Sequence, residues 1–258
     1  MTNNAKLPKI ELVKVELLRS KEPYQRKVKS KNVQKIFDPN QYTSIIVSHR
    51  DGNYNIVDGQ HRHLIYKNTY GLKGELRCEV RYGLSYQEEA ALFKSLNSQS
   101  KSLTPLEEFN ADIESGDELS LNIKNCVESV GFYISLSGGA GDNKISAIRK
   151  VENIYKDIGH LGLSEILKII KQVWNGDNRS LQQEVFSAFR KFYKTYKGQY
   201  AEETLVKALE KEKPSVFMRE SQELDVGESK YARTLVRLYN KKVRATKNKL
   251  DESALNQL

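Results

Sequence analysis

The sequence predicts an α/β domain at the N-terminal end of the chain, followed by an all-helical domain. Short β-branched or alternating runs fall before residue 83, whereas helical periodicity with capping signals dominates from residue 85 onward. A Gly- and Ser-rich stretch then interrupts the helical pattern. We therefore expect a first domain over residues 1–134, a linker over 135–143 and a helical domain over 144–258.

Four segments of the first domain have the composition of strands. Residues 10–18 and 76–82 alternate apolar with polar side chains, as half-buried strands do. Residues 44–48 and 54–57 are rich in β-branched residues and are joined by a turn that contains an Asp-Gly pair. These last two runs therefore predict a β-hairpin.

Helices are predicted between and after these strands. Residues 60–68 follow a strand and a glycine, and residues 85–96 carry apolar side chains in a helical spread. Thr104 and Glu107 form a capping box with proline at the first helical position, which indicates a helix start. A further helix is expected over residues 117–130.

After the linker, apolar side chains recur at helical spacing up to the end of the chain. Glycines and a proline between these runs mark where each helix ends. The predicted helices cover residues 145–158, 164–174, 180–197, 201–211 and 229–247.

The composition indicates a cytoplasmic protein with a buried core. The chain of 258 residues is 38% hydrophobic and 29% charged. No apolar run approaches the ~18 residues of a membrane-spanning helix, and the first residues lack the apolar core of a secretory signal. We expect Cys78 and Cys126 to be buried thiols in a reducing compartment, not a disulfide or a metal pair.

The net charge of +9 is concentrated in the second half of the chain. Residues 1–141 hold 19 Lys and Arg against 17 Asp and Glu, a surplus of +2. Residues 142–258 hold 23 against 16, a surplus of +7. A basic domain of this kind is typical of proteins that bind a polyanion, most often nucleic acid.

The last predicted helix contains a basic stripe, because its cations recur every three or four residues and therefore share a face. Tyr231, Leu235 and Leu238 lie on another face. The stripe predicts salt-dependent DNA binding; its alternative is a solvated outer face of a helix that packs on the domain. The residues of the stripe are Lys230, Arg233, Arg237, Lys241 and Arg244.

The junction at residues 57–63 carries the strongest functional signal. An apolar strand ends there in Asp58 and Gly59, and polar side chains that include His61 and Arg62 open a helix. A strand–glycine–helix junction directs backbone N–H groups and the positive end of the helix dipole at one spot. With Arg62 beside it, that spot suits a phosphate.

Three segments together resemble the ParB/sulfiredoxin-like superfamily over residues 8–115. The Asp-Gly-Gln-His-Arg sequence at Asp58–Arg62 resembles its signature box. Upstream, Glu22–Lys27 is similar to its Pro-x-Gln-x-Arg segment, and downstream, Glu88–Asn97 followed by Leu103–Glu108 is similar to its Asn-containing box. The segments occur in the order and spacing of the family.

The resemblance implies a ParB-like fold with a small mixed sheet and a pocket for a nucleotide, CTP or ATP with Mg²⁺. It also implies a DNA-associated protein with a regulatory or partition-related role in a phage, plasmid or other mobile element. We expect DNA and a nucleotide as partners, no membrane, and leave a homodimer open. The resemblance assigns nucleotide or phosphate binding to Gln25, Arg26, Gly59, Gln60, His61, Arg62, Asn97 and Gln99.

The chain departs from the superfamily at two informative positions. Gln60 stands where sulfiredoxin needs its cysteine, so the reductase chemistry lacks its nucleophile. Leu64 stands where ParB clamps carry a further arginine. The second departure removes one contact that a triphosphate would use.

Two other functions fit the same residues. One is an Mg²⁺-dependent enzyme, an NTPase, kinase or nuclease, in which Asp58 is catalytic or holds the metal and Glu22 is a second carboxylate. The other is a protein-interaction module with a vestigial pocket. In a purely structural interpretation, Asp58 caps the helix and Arg62 pairs with a local acid.

Overall fold

The computed structural model describes residues 7–20, 22–25, 28, 37–39, 42–100, 103–135, 141–224 and 229–256. This part of the chain is mixed α/β and mostly helical. It divides into two compact units, Met1–Glu118 and Leu119–Leu258. Residues 136–140 of the expected linker lie outside the described residues, so that linker stays a prediction.

The first unit is built on a five-stranded mixed sheet. Its strands are β1 Lys9–Lys14, β2 Leu18–Arg19, β3 Ile45–Arg50, β4 Asn53–Asp58 and β5 Glu75–Tyr82. They lie in the order β1-β5-β3-β4-β2. β1 is antiparallel to β5 and β3 to β4, whereas β5 is parallel to β3 and β2 to β4.

Helices cover both faces of this sheet. They are α1 Gln60–Tyr70, α2 Tyr86–Ser100 and α3 Pro105–Ser115. Tyr66 of α1 packs against a core that contains Ile45 and Ile56. Val57, the next residue of β4, packs instead with Phe93 and Ala111 of α2 and α3. Neighbouring residues of β4 therefore face opposite helical layers, and α1 begins on one of these faces directly after β4.

The predicted hairpin is confirmed, with a two-residue turn between β3 and β4. Asp51 and Gly52 both have positive φ, 52° and 74°, which is the backbone that an Asp-Gly hairpin turn favours. The strand predicted over residues 10–18 is interrupted, because Val15–Leu17 form a turn of 3₁₀ helix between β1 and β2.

The second unit consists mainly of helices. They are α4 Glu118–Ser129, α5 Ile148–Trp174, α6 Gln183–Tyr196, α7 Glu202–Leu209, α8 Pro214–Gln222 and α9 Lys230–Lys242. α5 is kinked at Gly159, which has φ 71° and ψ −174°. A short parallel pair, β6 Tyr133–Ile134 and β7 Lys144–Ile145, joins α4 to α5.

Aromatic side chains fill the core of the second unit. Trp174, Phe186, Phe189 and Phe192 are at most 7% exposed, so the expectation that they are core residues is confirmed. Trp174 also donates its indole N–H to the carbonyl of Glu212 at 2.8 Å. Buried Trp residues usually need such a partner.

Several elements of the second unit differ from the sequence prediction. The helices expected over residues 145–158 and 164–174 form the single kinked helix α5, and Ile145 lies in β7. Pro214 was expected only to stop a helix, but it occupies the first turn of α8, where its missing N–H costs nothing. α9 ends at Lys242 instead of residue 247. The amide of Asn240 both donates to and accepts from the backbone of Leu250 at 2.8 Å, so the chain turns back there.

Both cysteines are buried free thiols, as predicted. Burial raises the pKa of Cys78 to about 12, so this thiol stays protonated and unreactive at neutral pH. Within the part of the chain that the structure describes, no helix combines the length and the apolar character needed to cross a membrane.

The capping box at the start of α3 gives a stability prediction. Thr104 accepts from the N–H of Glu107, and the Glu107 carboxylate accepts from the N–H of Thr104 at 2.8 Å. Thr104→Ala removes the first of these bonds, and we expect it to lower the free energy of unfolding by about 1 kcal/mol. Thr104→Ser keeps the hydroxyl and is the control. Equal unfolding midpoints in urea for all three proteins would contradict this role.

Candidate functional site

Gly59 is held at the end of β4 in a conformation that only glycine adopts easily. Its φ is 95° and its ψ is 21°, in the left-handed region. A Cβ built on Gly59 would lie 2.9 Å from Cβ of Ile45 and closer still to its Cγ2. This position is the N-cap of α1, so the structural interpretation of Asp58 as the N-cap is wrong.

A small cavity of about 160 Å³ opens at this junction. Its walls come from the end of β4, the first turn of α1 and one face of α2. It therefore lies at the end of β4, between the start of α1 and α2. The residues that line it are Val57, Asp58, Gly59, Gln60, His61, Arg62, Phe93 and Asn97.

Most of the site residues predicted from distant segments of the sequence lie together at this cavity. Asn97 lies on the same cavity as Asp58, His61 and Arg62, although more than thirty residues of sequence separate them. Arg26 and the side chain of Gln99 lie outside the described residues, so their assignment stays a prediction.

Arg62 is firmly anchored within the protein. One nitrogen of its guanidinium donates to the carboxylate of Asp58 at 2.6 Å. Another donates to the carbonyls of Thr43 and Ser44 at 2.9 and 2.8 Å. The expected pairing of Arg62 with a local acid is therefore present. Because the Asp58 and Arg62 charges offset each other, the feature of the cavity that favours an anion is the positive end of the α1 dipole.

Gln60 and Asn97 give the cavity buried amide groups. Gln60 is 9% exposed, and its Nε2 has no hydrogen-bond partner among the described residues. Asn97 is 3% exposed and donates to the carbonyl of Phe93 at 2.8 Å. A buried donor without a partner costs about 1–3 kcal/mol. Such a donor at the wall of a cavity indicates a place for an acceptor.

Gln25 serves the backbone instead of the cavity. Its Nε2 donates to the carbonyl of Ile56 at 2.5 Å, and its Oε1 accepts from the N–H of Glu22 at 3.2 Å. Gln25 therefore links the loop of Glu22 to Ile56 of β4 by hydrogen bonds. Ile56 precedes Val57, the first residue of β4 that lines the cavity. Its predicted ligand contact has no support from its position.

Glu22 is not brought to Asp58. Its carboxylate lies 3.6 Å from Arg50, the last residue of β3. Asp58 pairs in the sheet with Ile46, four residues earlier on β3, which is a separation of about 13 Å along the strand. Burial, followed by the charge of Glu89, raises the pKa of Glu22. Its carboxylate therefore belongs to a different cluster.

That cluster was missed by the sequence analysis. Glu89 is fully buried; it accepts from the hydroxyl of Tyr24 at 2.5 Å and from Arg50 at 3.0 Å. Arg50 also lies over the ring of Tyr86, 5.3 Å from its centre. Glu89, Phe93 and Asn97 recur every four residues and share one face of α2. The four-residue spacing could have indicated that these three side chains share a buried face. It was not recognised, because a charged glutamate interrupts the apolar pattern that normally marks such a face.

The two histidines of the junction have different surroundings. His61 lines the cavity, whereas the side chain of His63 is only 6% exposed and does not line it. Burial, with a contribution from the charge of Lys67, lowers the pKa of His63. His63 is therefore neutral at physiological pH.

The basic stripe of α9 is not continuous. Arg237 forms two hydrogen bonds with the carboxylate of Glu252, at 3.0 and 3.2 Å. Arg233 is paired with the same carboxylate at 3.7 Å and is bonded to Asn256. Arg244 lies beyond the end of the helix. The prediction of one continuous cationic face is therefore wrong at its centre, because the chain end that folds back pairs Glu252 with both arginines and offsets part of their charge.

A pair of glycine substitutions separates strain from crowding at the cavity. Gly59→Ala places a methyl group against Ile45 in a left-handed backbone, and we expect a loss of about 3 kcal/mol in the free energy of unfolding. Gly52→Ala meets the same backbone strain with nothing within 4 Å of the new methyl, and we expect about 1 kcal/mol. Equal losses in urea denaturation would show that Ile45 does not crowd Gly59.

Comparison with known proteins places the chain in a family without assigning an activity. No curated protein matches the sequence. Among the described residues, no group of three or more His, Cys, Asp or Glu is arranged to hold a metal ion. A family profile matches residues 19–251, most of the chain. The protein therefore belongs to the Family of unknown function (DUF6551).

Proposed function

We propose that the first unit binds the phosphate end of a nucleotide at the start of α1, as a ParB-like domain would. The observation that carries this proposal is the cavity at Gly59, where Gln60, Arg62 and Asn97 meet. The first-turn N–H groups of a helix have no acceptor within the helix, and its dipole favours an anion. The buried amide of Gln60 adds a donor at the same place.

The size of the cavity limits what enters it. Sites that enclose a whole small molecule have about 300–1,000 Å³, and this cavity has about 160 Å³. It therefore admits a phosphate-sized group while the nucleoside stays outside it. CTP and ATP are the candidates that the ParB-like resemblance supports.

Asp58 sets the conditions under which an anion binds. Its carboxylate lies 2.6 Å from the Arg62 guanidinium and lines the cavity, so a bare phosphate meets a negative charge there. Mg²⁺ is commonly held by one or two carboxylates together with substrate phosphates and water. The single carboxylate of Asp58 fits that role, and Mg²⁺ bound to it would offset this charge.

The wider proposal is a cytoplasmic, DNA-associated ParB-like protein with a regulatory or partition-related role. Its support is the order of the three family-like segments and the charge of the second unit. Residues 119–258 hold 24 Lys and Arg against 17 Asp and Glu, a surplus of +7. The two buried free thiols agree with a reducing compartment.

Gln60→Met tests the phosphate site with little risk to the fold. The Nε2 of Gln60 is buried and has no hydrogen-bond partner among the described residues. Methionine replaces this amide by an apolar side chain of similar length, so we expect the free energy of unfolding to stay equal or to rise. A ligand that binds only the folded state raises the melting temperature. We expect CTP or ATP with Mg²⁺ to do so for the wild type and much less for Gln60→Met.

Two controls complete this experiment. Arg62→Lys keeps the positive charge but loses the planar fork, so it should reduce the nucleotide-induced shift as well. The buried hydroxyl of Ser48 has no partner among the described residues, and Ser48 does not line the cavity, so Ser48→Ala should keep the full shift. Wild-type protein that no nucleotide or inorganic phosphate stabilises, with or without Mg²⁺, would overturn the proposed function.

Asp58→Asn separates the two roles of the carboxylate. Without Mg²⁺, we expect the variant to bind inorganic phosphate about fivefold more tightly than the wild type, because a partly exposed negative charge has been removed. The strengthening of nucleotide binding by Mg²⁺ should disappear. Isothermal titration with and without Mg²⁺ measures both effects. Unchanged Mg²⁺ dependence would show that Asp58 does not hold the ion.

A further inference from the structure

The second unit contains a larger cleft that the phosphate site does not involve. Its volume is about 520 Å³, and its walls come from the start of α5, the α6 helix and the start of α9. That volume is in the range of sites for organic ligands, about 300–1,000 Å³. The residues that line it are Lys150, Gln183, Glu184, Ser187, Arg190, Lys191, Lys194 and Tyr231.

The cleft is cationic. Four of its lining residues are Lys or Arg, and Glu184 is the acid among them. Asp157 also approaches, with its carboxylate 2.5 Å from Nε of Arg190 and 3.4 Å from Lys194. Four cations against two acids leave a surplus of two positive charges. A cleft with that surplus concentrates field lines and attracts anions.

Helix starts add to this potential. The first turn of α5 contributes Lys150 to the cleft, and the first turn of α6 contributes Gln183 and Glu184. Neither Ala147 nor Gln182, the N-cap residues, makes a side-chain capping bond. Two helix dipoles therefore present their positive ends near the same opening.

A second cavity extends the cleft along the surface. It has a volume of about 380 Å³, shares Gln183 and Glu184 with the first, and adds Lys144. The two cavities are neighbours, and each has cations in its lining. Neighbouring basic cavities suit a chain of phosphates better than a single compact anion.

Tyr231 supplies an aromatic surface in this cleft. Its ring is half-buried, with the Nζ of Lys230 5.5 Å from its centre and the ring of Phe217 6.5 Å away. Phe217 borders this ring, and the ammonium of Lys230 lies over it, so the aromatic surface is combined with a positive charge. Aromatic side chains beside a basic groove are the usual means of holding bases of an unpaired strand.

We propose that this cleft binds single-stranded nucleic acid, with a base against Tyr231 and the phosphates along Lys150, Lys191 and Lys194. A duplex presents its phosphates on a convex surface and keeps its bases stacked inside, so it cannot place a base in a recess of this size. The stripe on α9 is a poorer candidate, because its central arginines, Arg233 and Arg237, are both paired with Glu252. This site is separate from the proposed phosphate site of the first unit.

The test uses the whole chain and a short fluorescent oligothymidylate, with anisotropy measured over a range of salt concentrations. We expect the double variant Lys150→Gln and Lys194→Gln to reduce the slope of log affinity against log salt by about 1.4, or ~0.7 for each lost phosphate contact. Tyr231→Leu should weaken binding about tenfold, while Tyr231→Phe keeps the ring and the affinity.

The matched control removes equal charge elsewhere. Lys241 and Lys242 are exposed at the end of α9 and do not line the cleft, so Lys241→Gln with Lys242→Gln should leave most of the slope unchanged. Gln60→Met should bind the strand normally, which separates this site from the nucleotide site. Equal losses in cleft and control variants, or duplex binding as tight as strand binding, would overturn the proposal, as would no binding by the wild type.

Discussion

The first unit depends on one constraint: Gly59 has a positive φ and its backbone lies close to the side chain of Ile45. It allows the chain to leave β4 and begin α1 within one residue, so that α1 covers one face of the sheet while α2 and α3 cover the other. The cavity lies where the end of β4, the start of α1 and one face of α2 meet. The residues that line it are therefore fixed by the backbone before any ligand is considered.

Most arginines near the candidate sites form hydrogen bonds and ion pairs between segments of the chain. Arg62 joins the cavity to the chain before β3, and Arg50 joins the hairpin to buried Glu89 of α2. In the second unit, Arg233 and Arg237 hold the returning chain end through Glu252. A planar guanidinium forms several directed bonds at once, which suits it to this purpose. Lysines, whose charge is less directed, dominate the basic cleft.

The cavities that we propose as anion sites in the two units differ in kind. The cavity of the first unit is small, nearly neutral in side-chain charge, and built from backbone geometry and buried amides. The cleft of the second unit is larger, open and cationic. The first geometry discriminates by shape and the second attracts by charge. The two proposals therefore assign a small phosphate ligand and a nucleic acid to separate surfaces.

Local chemistry in the sequence determined much of the fold. The Asp-Gly hairpin, the capping box at Thr104, the helix after Gly59 and the buried cysteines depend on near neighbours, and the structure has all of them. The α8 helix was missed because a proline can either end a helix or occupy its first turn. The end of α9 was misplaced because Asn240 bonds to Leu250, ten residues away. The short β6–β7 pair was also missed. For the site, the sequence grouped Asp58, His61, Arg62 and Asn97, but tertiary packing alone separated Glu22 and Gln25 from them. Packing also paired Arg237 with Glu252 and formed the basic cleft, since contacts between distant residues leave no spacing that a sequence pattern can show.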